Sequence, residues 1–189
     1  MKLKLVIMAV ATMLVVSVAS CGSSKSGVKH DKSYATNHSR KGGGSGIATR
    51  DDGGWSTLDI KLTSADNKRL YHEVKGWLGT PYLYAGVDKN GADCSGFVMT
   101  LYQTVYGKKL QRNSARMYER NCTPVSLDEL QEGDLVFFNN GKGGGINHVG
   151  IYLRDGKFAH TSSSRGVMIS DLNDRYFATH FYSGGRVKM

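Results

Sequence analysis

Cysteine is scarce in this chain, at three among 189 residues, too few for a disulfide scaffold. Long apolar runs are missing too. Leu5 to Ser20 contains no charge, and its apolar part, Leu5 to Val18, is shorter than the ~20 residues that span a bilayer. There is no internal repeat. The Gly-rich segment Gly141 to Gly145 lacks P-loop spacing, so it reads as a hairpin loop and not as a phosphate cradle. Acidic residues are in deficit: 16 Asp and Glu face 25 Lys and Arg, a formal charge of +9. That charge is spread along the chain. It points away from nucleic acid, and toward anionic envelope polymers, lipid headgroups or a merely solvated basic surface.

What is present begins at the N-terminus. Lys2 and Lys4 precede the apolar run, so Met1 to Ser20 reads as an export signal. Val18-Ala19-Ser20-Cys21 resembles the bacterial lipobox, in which the Cys is lipidated and becomes the first residue of the mature protein. Each buried acyl methylene contributes ~0.8 kcal/mol, so a multiply acylated Cys21 would be a stable membrane anchor. Gly, Ser, Lys, Asn and Asp then dominate as far as Thr63, with Lys41-Gly42-Gly43-Gly44-Ser45-Gly46 at the centre. Such a stretch buries too little apolar surface to offset its ordering entropy and reads as a flexible tether. Trp55, Leu58 and Ile60 are the residues expected to begin docking on the C-terminal domain. The expected organisation is a signal over 1–20, a lipidated Cys and tether over 21–63, and one domain over 64–189. Gly22 supplies no Asp-type inner-membrane retention signal. The expected location is therefore the cell envelope, on the outer membrane and facing the periplasm where the host has two membranes.

From Ser64 the pattern changes. Leu70, Val74, Trp77 and Leu78 recur at helical spacing after a Thr63/Ser64 cap, and Gly79-Thr80-Pro81 stops the helix. Asp93 precedes a second helical pattern with Phe97, Val98, Leu101 and Val105 on one face and Gly107 as its stop. A short helix is expected over Ser114 to Arg120. Five β-like runs come next, at Asp134 to Phe138, His148 to Leu153, Lys157 to Ser162, Val167 to Ser170 and His180 to Val187. Helices first and antiparallel strands afterwards is an α+β order, with the helices packed on a sheet of about five strands.

The nucleophilic form of cysteine is the thiolate, and the first turn of a helix favours it through unpaired amides and the helix dipole. Cys94 is placed there, directly after the candidate cap Asp93, and the small Ser95 and Gly96 leave its sulfur open. A cysteine near a helix start is nevertheless more often structural. His148 and His160 lie in two runs joined near Asp155-Gly156, where antiparallel strands would set both imidazoles on one face in one register only. A Cys–His pair needs a third polar group to orient the imidazole, and His160 fits that need. Each histidine alone reads equally well as a satisfied sheet residue. The three together also match a zinc site with an open position.

The chain from about Ser64 to Val187 resembles the NlpC-type bacterial cell-wall peptidases, which have a papain-like fold. The resemblance rests on five blocks in family order. Gly79-Thr80-Pro81-Tyr82-Leu83-Tyr84-Ala85-Gly86 comes first, then Asp93-Cys94-Ser95-Gly96-Phe97-Val98 and Arg112-Asn113-Ser114. Gly133-Asp134-Leu135-Val136-Phe137-Phe138 and the two histidine runs complete the set. It implies Cys94 as nucleophile, His148 as general base, His160 as the orienting member and Tyr82 as a helper at the oxyanion. Asp93, Ser95 and Ser114 border the cleft where family members contact the peptide, although Asp93 and Ser95 equally suit helix capping. The family often has Gln where this chain has Met117, which puts substrate details there in doubt. The implied reaction is hydrolysis of a stem-peptide amide of peptidoglycan, commonly that from γ-D-glutamate to the diamino acid. No metal or organic cofactor is implied, and a monomer is expected. Rival readings are the same machinery acting on another amide or ester, and a non-catalytic envelope-binding lipoprotein.

Overall fold

The computed structural model describes residues 60–141 and 144–189. The expected export signal, the lipidation site Cys21 and the tether as far as residue 59 lie outside the described residues.

Helix α1 spans Lys68–Trp77 and buries Leu70, Tyr71, Val74 and Trp77. Its cap is Asn67, whose side chain accepts from the Leu70 N–H at 3.2 Å, and not Thr63 or Ser64. The reason is a competing turn. The Thr63 N–H donates to the Asp66 carboxylate, which Arg154, distant in the chain, grips at 2.8 Å. Ile60, one of the residues expected to begin docking, is fully buried, and the Lys61 carbonyl accepts from Arg154 at 2.8 Å.

A short antiparallel ribbon, β1 (Val87–Asp88) with β2 (Gly91–Ala92), leads into α2 (Cys94–Tyr106). Phe97, Val98, Leu101, Tyr102 and Val105 face the core, and Trp77 meets Phe97 edge-on at 5.4 Å, locking α1 to α2. Gly107 ends α2 in the left-handed conformation, as its position in the sequence requires. The helix expected over Ser114 to Arg120 divides in two. A three-residue turn, α3 (Ser114–Arg116), is followed by a π-helical turn over Met117–Asn121 that drives Met117 into the core.

The sheet has six strands, one more than expected. They are β3 (Cys122–Val125), β4 (Leu135–Phe138), β5 (His148–Tyr152), β6 (Lys157–Ser162), β7 (Gly166–Asp171) and β8 (Phe181–Val187), in spatial order β3-β8-β4-β5-β6-β7 with every pairing antiparallel. The unexpected strand, β3, holds Pro124 and pairs on one side only, the position in a sheet where proline is tolerated. A six-residue helix, α4 (Arg175–His180), was also not expected and takes His180 from the start of the last strand.

Both faces of the sheet are covered. Leu135 and Phe137 of β4 enter the main core, where α2 packs on β5 and β6. Val136 and Phe138 point the other way into a second cluster with Phe158 and Leu172, against which Phe177 of α4 packs. Double coverage explains why all four residues of β4 are buried with no alternation.

One contact ties the loop after α1 to the sheet. The Val167 N–H donates to the Thr80 carbonyl at 2.8 Å, and the Gly79 N–H to the Val167 carbonyl at 2.9 Å. Gly166 makes this approach possible: its φ is 71°, and a Cβ there would lie 2.2 Å from the Thr80 oxygen. Gly166→Ala is expected to cost about 1–2 kcal/mol or more through left-handed strain and displacement of Thr80. Urea unfolding measures this, and a midpoint equal to that of the parent chain would show that the loop can move away freely.

Candidate active site

Cys94 is the first residue of α2, and the cap that fixes it is Asp93. The Asp93 carboxylate accepts from the Gly96 N–H at 2.7 Å and from the Ala85 N–H at 3.0 Å. Arg112 closes on both of its oxygens at 2.8 and 2.7 Å, and Ser95 donates to it at 3.1 Å. Burial works against ionisation of Asp93, but the bonds from Arg112 and Gly96 outweigh it and hold the carboxyl below its usual range. Gly96 lets the helix start press against the preceding loop, since a Cβ there would lie 2.0 Å from the Gly86 oxygen. Tyr82 belongs to the same loop and bridges to Ala92 just before the cap.

His148 opens β5 and His160 lies in β6. The strands pair with Gly150 opposite His160, so the two histidines sit diagonally on one face. Their rings meet nearly perpendicular, with His148 Nε2 3.0 Å from His160 Nδ1. His160 Nε2 is 3.0 Å from the Ser170 hydroxyl on β7, and Phe158 and Phe177 pack against the His160 ring. These bonds define a consistent proton arrangement. If His148 Nδ1 is to accept a proton from a thiol, Nε2 must donate to His160 Nδ1, and His160 Nε2–H then donates to Ser170. The Val149 N–H reaches the Cys94 sulfur, which places that sulfur beside the first residues of β5.

Cys94, His148, His160 and Tyr82 line one cleft of about 540 Å³, together with Arg165 and Asp174. Burial dominates its electrostatics. It lowers His148 to about 4. Burial, with the charges of His148 and Arg165 adding to it, lowers His160 to about 3. The Cys94 thiol is pushed up by burial and by the charge of Asp93, although the Val149 N–H opposes the rise. Desolvation thus opposes the first-turn amides that favour the thiolate.

The remaining residues singled out from the sequence sit elsewhere. Asp93, Ser95 and Ser114 do not line this cleft. Asp93 is occupied as described, Ser95 accepts from Arg112 at 2.7 Å, and Ser114 is buried at the start of α3. Cys122 is buried in β3, and it and Cys94 are both free thiols. Arg165 and Asp174 of the cleft went unread, as did Ser170, the partner of His160. The only sequence signal for Ser170 was a hydroxyl inside an otherwise apolar strand, and its partner depended on a register that one sequence does not specify.

Comparison with known proteins gives the same outline. The family model described as NlpC/P60 family matches residues 79–186. The probable endopeptidase NlpC of Escherichia coli (strain K12) is 39% identical over 118 residues, covering 62% of this chain and 76% of that protein. The murein DD-endopeptidase MepS/murein LD-carboxypeptidase of the same strain is 37% identical, covering 63% and 62%. The gamma-D-glutamyl-L-lysine dipeptidyl-peptidase of Bacillus cereus is 38% identical over 133 residues, covering 69% of this chain but 38% of that protein. Among solved structures, an NlpC/P60 family protein from Bacillus cereus superposes with a TM-score of 0.59 at 33% identity, over 67% of this chain and 41% of that one. The chain thus spans well under two thirds of its longer relatives. The family match covers more than half of the sequence and contains Tyr82, Cys94, His148 and His160, and the chain that carries this cleft belongs to the NlpC/P60 family.

Proposed function

We propose that the protein is a peptidoglycan hydrolase, a cysteine endopeptidase that cuts stem peptides between γ-D-glutamate and the diamino acid. The observation that carries this reading is the convergence of Cys94, the hydrogen-bonded His148–His160 pair and Tyr82 on one cleft. The names of the relatives support a wall substrate, and that of the Bacillus cereus protein supports this bond.

The geometry suggests a course for the reaction. Cys94 Sγ attacks the γ-carbonyl carbon while His148 Nδ1 takes the thiol proton. The imidazolium, disfavoured by burial in the resting site, forms only as negative charge appears beside it. The Cys94 N–H at the helix start and the Tyr82 hydroxyl hold the oxyanion, a type of donor worth ~3 kcal/mol each. His148 then gives its proton to the leaving amine, and a thioester remains on Cys94. Water attacks that carbonyl and gives a proton to His148. Collapse returns the His148 proton to sulfur and frees the γ-carboxyl, which loses its own proton to solvent. His160, fixed by Ser170, keeps the His148 ring in the productive tautomer throughout.

Digestion of purified peptidoglycan tests the reading, with fragments identified by mass spectrometry. The expected products end in γ-D-glutamate, and Cys94→Ser should slow their release by roughly 10³-fold or more. Fragments cut at the D,D-bond named for the MepS relative would move the assignment to that bond, and release undiminished by Cys94→Ser would sink the mechanism.

The pH profile is a separate test. Neutral His148 is the base, and burial lowers its pKa to about 4. Its share of kcat/KM should therefore persist below the ordinary histidine range and fall only as pH drops through about 4. An acid limb centred at the ordinary imidazole pKa of about 6.5 would mean that the ring is hydrated or ion-paired.

The placement proposed for the enzyme is at the end of a lipid tether, with Cys21 carrying the acyl chains and the envelope polymer within reach. Cell fractionation of Cys21→Ala checks it. The variant should move to the soluble fraction, and retention in the membrane would exclude the lipid as anchor.

A further inference from the structure

The polar chain behind Cys94 does not stop at His160. His148 in β5, His160 in β6 and Ser170 in β7 follow one another diagonally across neighbouring strands. Each link is 3.0 Å long, from His148 Nε2 to His160 Nδ1 and from His160 Nε2 to the Ser170 hydroxyl. β7 is an edge strand, so the chain runs from the cleft to the border of the sheet. There Ser170, itself buried, lines a cavity of about 320 Å³ together with Lys157, Arg165, Asp171 and Asp174.

Such a chain of bonds can run in two directions. Burial disfavours the charged form of both rings. An uncharged imidazole carries one proton, and the bond made by one ring nitrogen decides which nitrogen holds it. In one direction each histidine carries its proton on Nε2, and His148 Nδ1 is bare and able to take the Cys94 proton. In the other, the Ser170 O–H donates to His160 Nε2 and both rings carry their proton on Nδ1. His148 then presents an N–H where a base is needed. A carboxylate in place of Ser170 would only accept and would fix the direction. A hydroxyl both donates and accepts, so the direction depends on where its own proton goes.

Among the described residues no second protein group bonds the Ser170 hydroxyl. The cavity supplies acceptors instead. It is roomy enough for water. The Asp174 carboxylate on its wall has no hydrogen-bond or ion-pair partner among the described residues and makes no capping bond to α4. Asp171 differs, since Lys157 engages it at 2.8 Å. Lys157 and the unpaired Arg165 carry only donors, so neither can take the serine proton.

We infer that Ser170 is a positioning residue that sets the direction of the His148–His160 chain, accepting from His160 and sending its own proton into the cavity beside β7. The inference rests on the reading of Cys94 and His148 as nucleophile and base. Ser170 does not line the cleft of Cys94, so it acts through His160 alone. Phe158 and Phe177 pack on the His160 ring, and Nε2 has no other polar partner among the described residues. Losing the hydroxyl would therefore strand a buried N–H in the productive direction, but only a bare nitrogen in the reverse one. An unpaired buried donor is the costlier of the two, which shifts the balance toward the reverse tautomers.

The test uses the full chain with isotope-labelled histidine nitrogens, because protonated and bare ring nitrogens differ widely in NMR chemical shift. In the parent chain at neutral pH, His160 should carry its proton on Nε2 with Nδ1 bare, and His148 should be protonated at Nε2. In Ser170→Ala the two rings should populate the reverse tautomers. Alkylation of Cys94 by iodoacetamide, followed by mass spectrometry, should slow about 10-fold in that variant, the scale of one buried hydrogen bond. Peptidoglycan cleavage should slow by a similar factor. Ser170→Thr, which keeps the hydroxyl, should restore the parent tautomers and most of both rates. Unchanged thermal midpoints would establish that the variants fold. A parent chain with His160 protonated on Nδ1 would overturn the inference without any variant. Parent tautomers retained in Ser170→Ala would also overturn it, whatever the rates, since the serine would then serve packing alone. Failure to cut the γ-D-glutamyl bond would sink the proposed function and leave the tautomer result standing, because neither the spectra nor the alkylation involves a substrate.

Discussion

Gly150 stands opposite His160 across β5 and β6, and the arrangement of the candidate site depends on that register. It sets His148 and His160 on one face, close enough for a direct bond between ring nitrogens at 3.0 Å. A shift of one residue would send one imidazole through the sheet and leave the other without an orienting partner. The register is itself fixed by burial. Phe158, Ala159 and His160 in β6 and Val149, Gly150 and Ile151 in β5 are all buried, so any slip would bring polar groups into one of the two clusters. The stability of the sheet and the geometry of the candidate base thus have one cause.

The second constraint is at the start of α2. Asp93 caps the helix, binds Arg112 through both oxygens and takes the Ala85 N–H of the Tyr82 loop. This one carboxylate joins the nucleophile's helix to the loop that carries the oxyanion candidate. A half-buried carboxylate with that many donors is held ionised, and its charge adds to the rise that desolvation imposes on the neighbouring thiol. Burial of both imidazoles likewise disfavours their charged forms.

How much of this was legible in the residues differs from element to element. The helical face of Phe97, Val98, Leu101 and Val105, the cap Asp93 and the stop Gly107 were readable because each is a local signal. The cap of α1 was misplaced because Arg154, distant in the chain, recruits Asp66 into a turn. β3 and α4 escaped notice because each is short: one holds a proline, and the other has no side-chain cap. The π-helical turn at Met117 reflects burial of that side chain, which propensity does not foresee.

The sequence by itself determined the residue types of the site, their order and the family to which they belong, because motif spacing and helix caps are written locally. The tertiary structure alone decided which polar group meets which. It set His160 between His148 and Ser170, closed Arg112 on Asp93, and left Arg165 and Asp174 unpaired in the cleft. It also set desolvation of the Cys94 sulfur against the first-turn amides, since desolvation depends on what packs around a sulfur and not on its place in a helix. Side-chain pairing across strands and the degree of burial are long-range properties, fixed only when the sheet closes against α2 and α4.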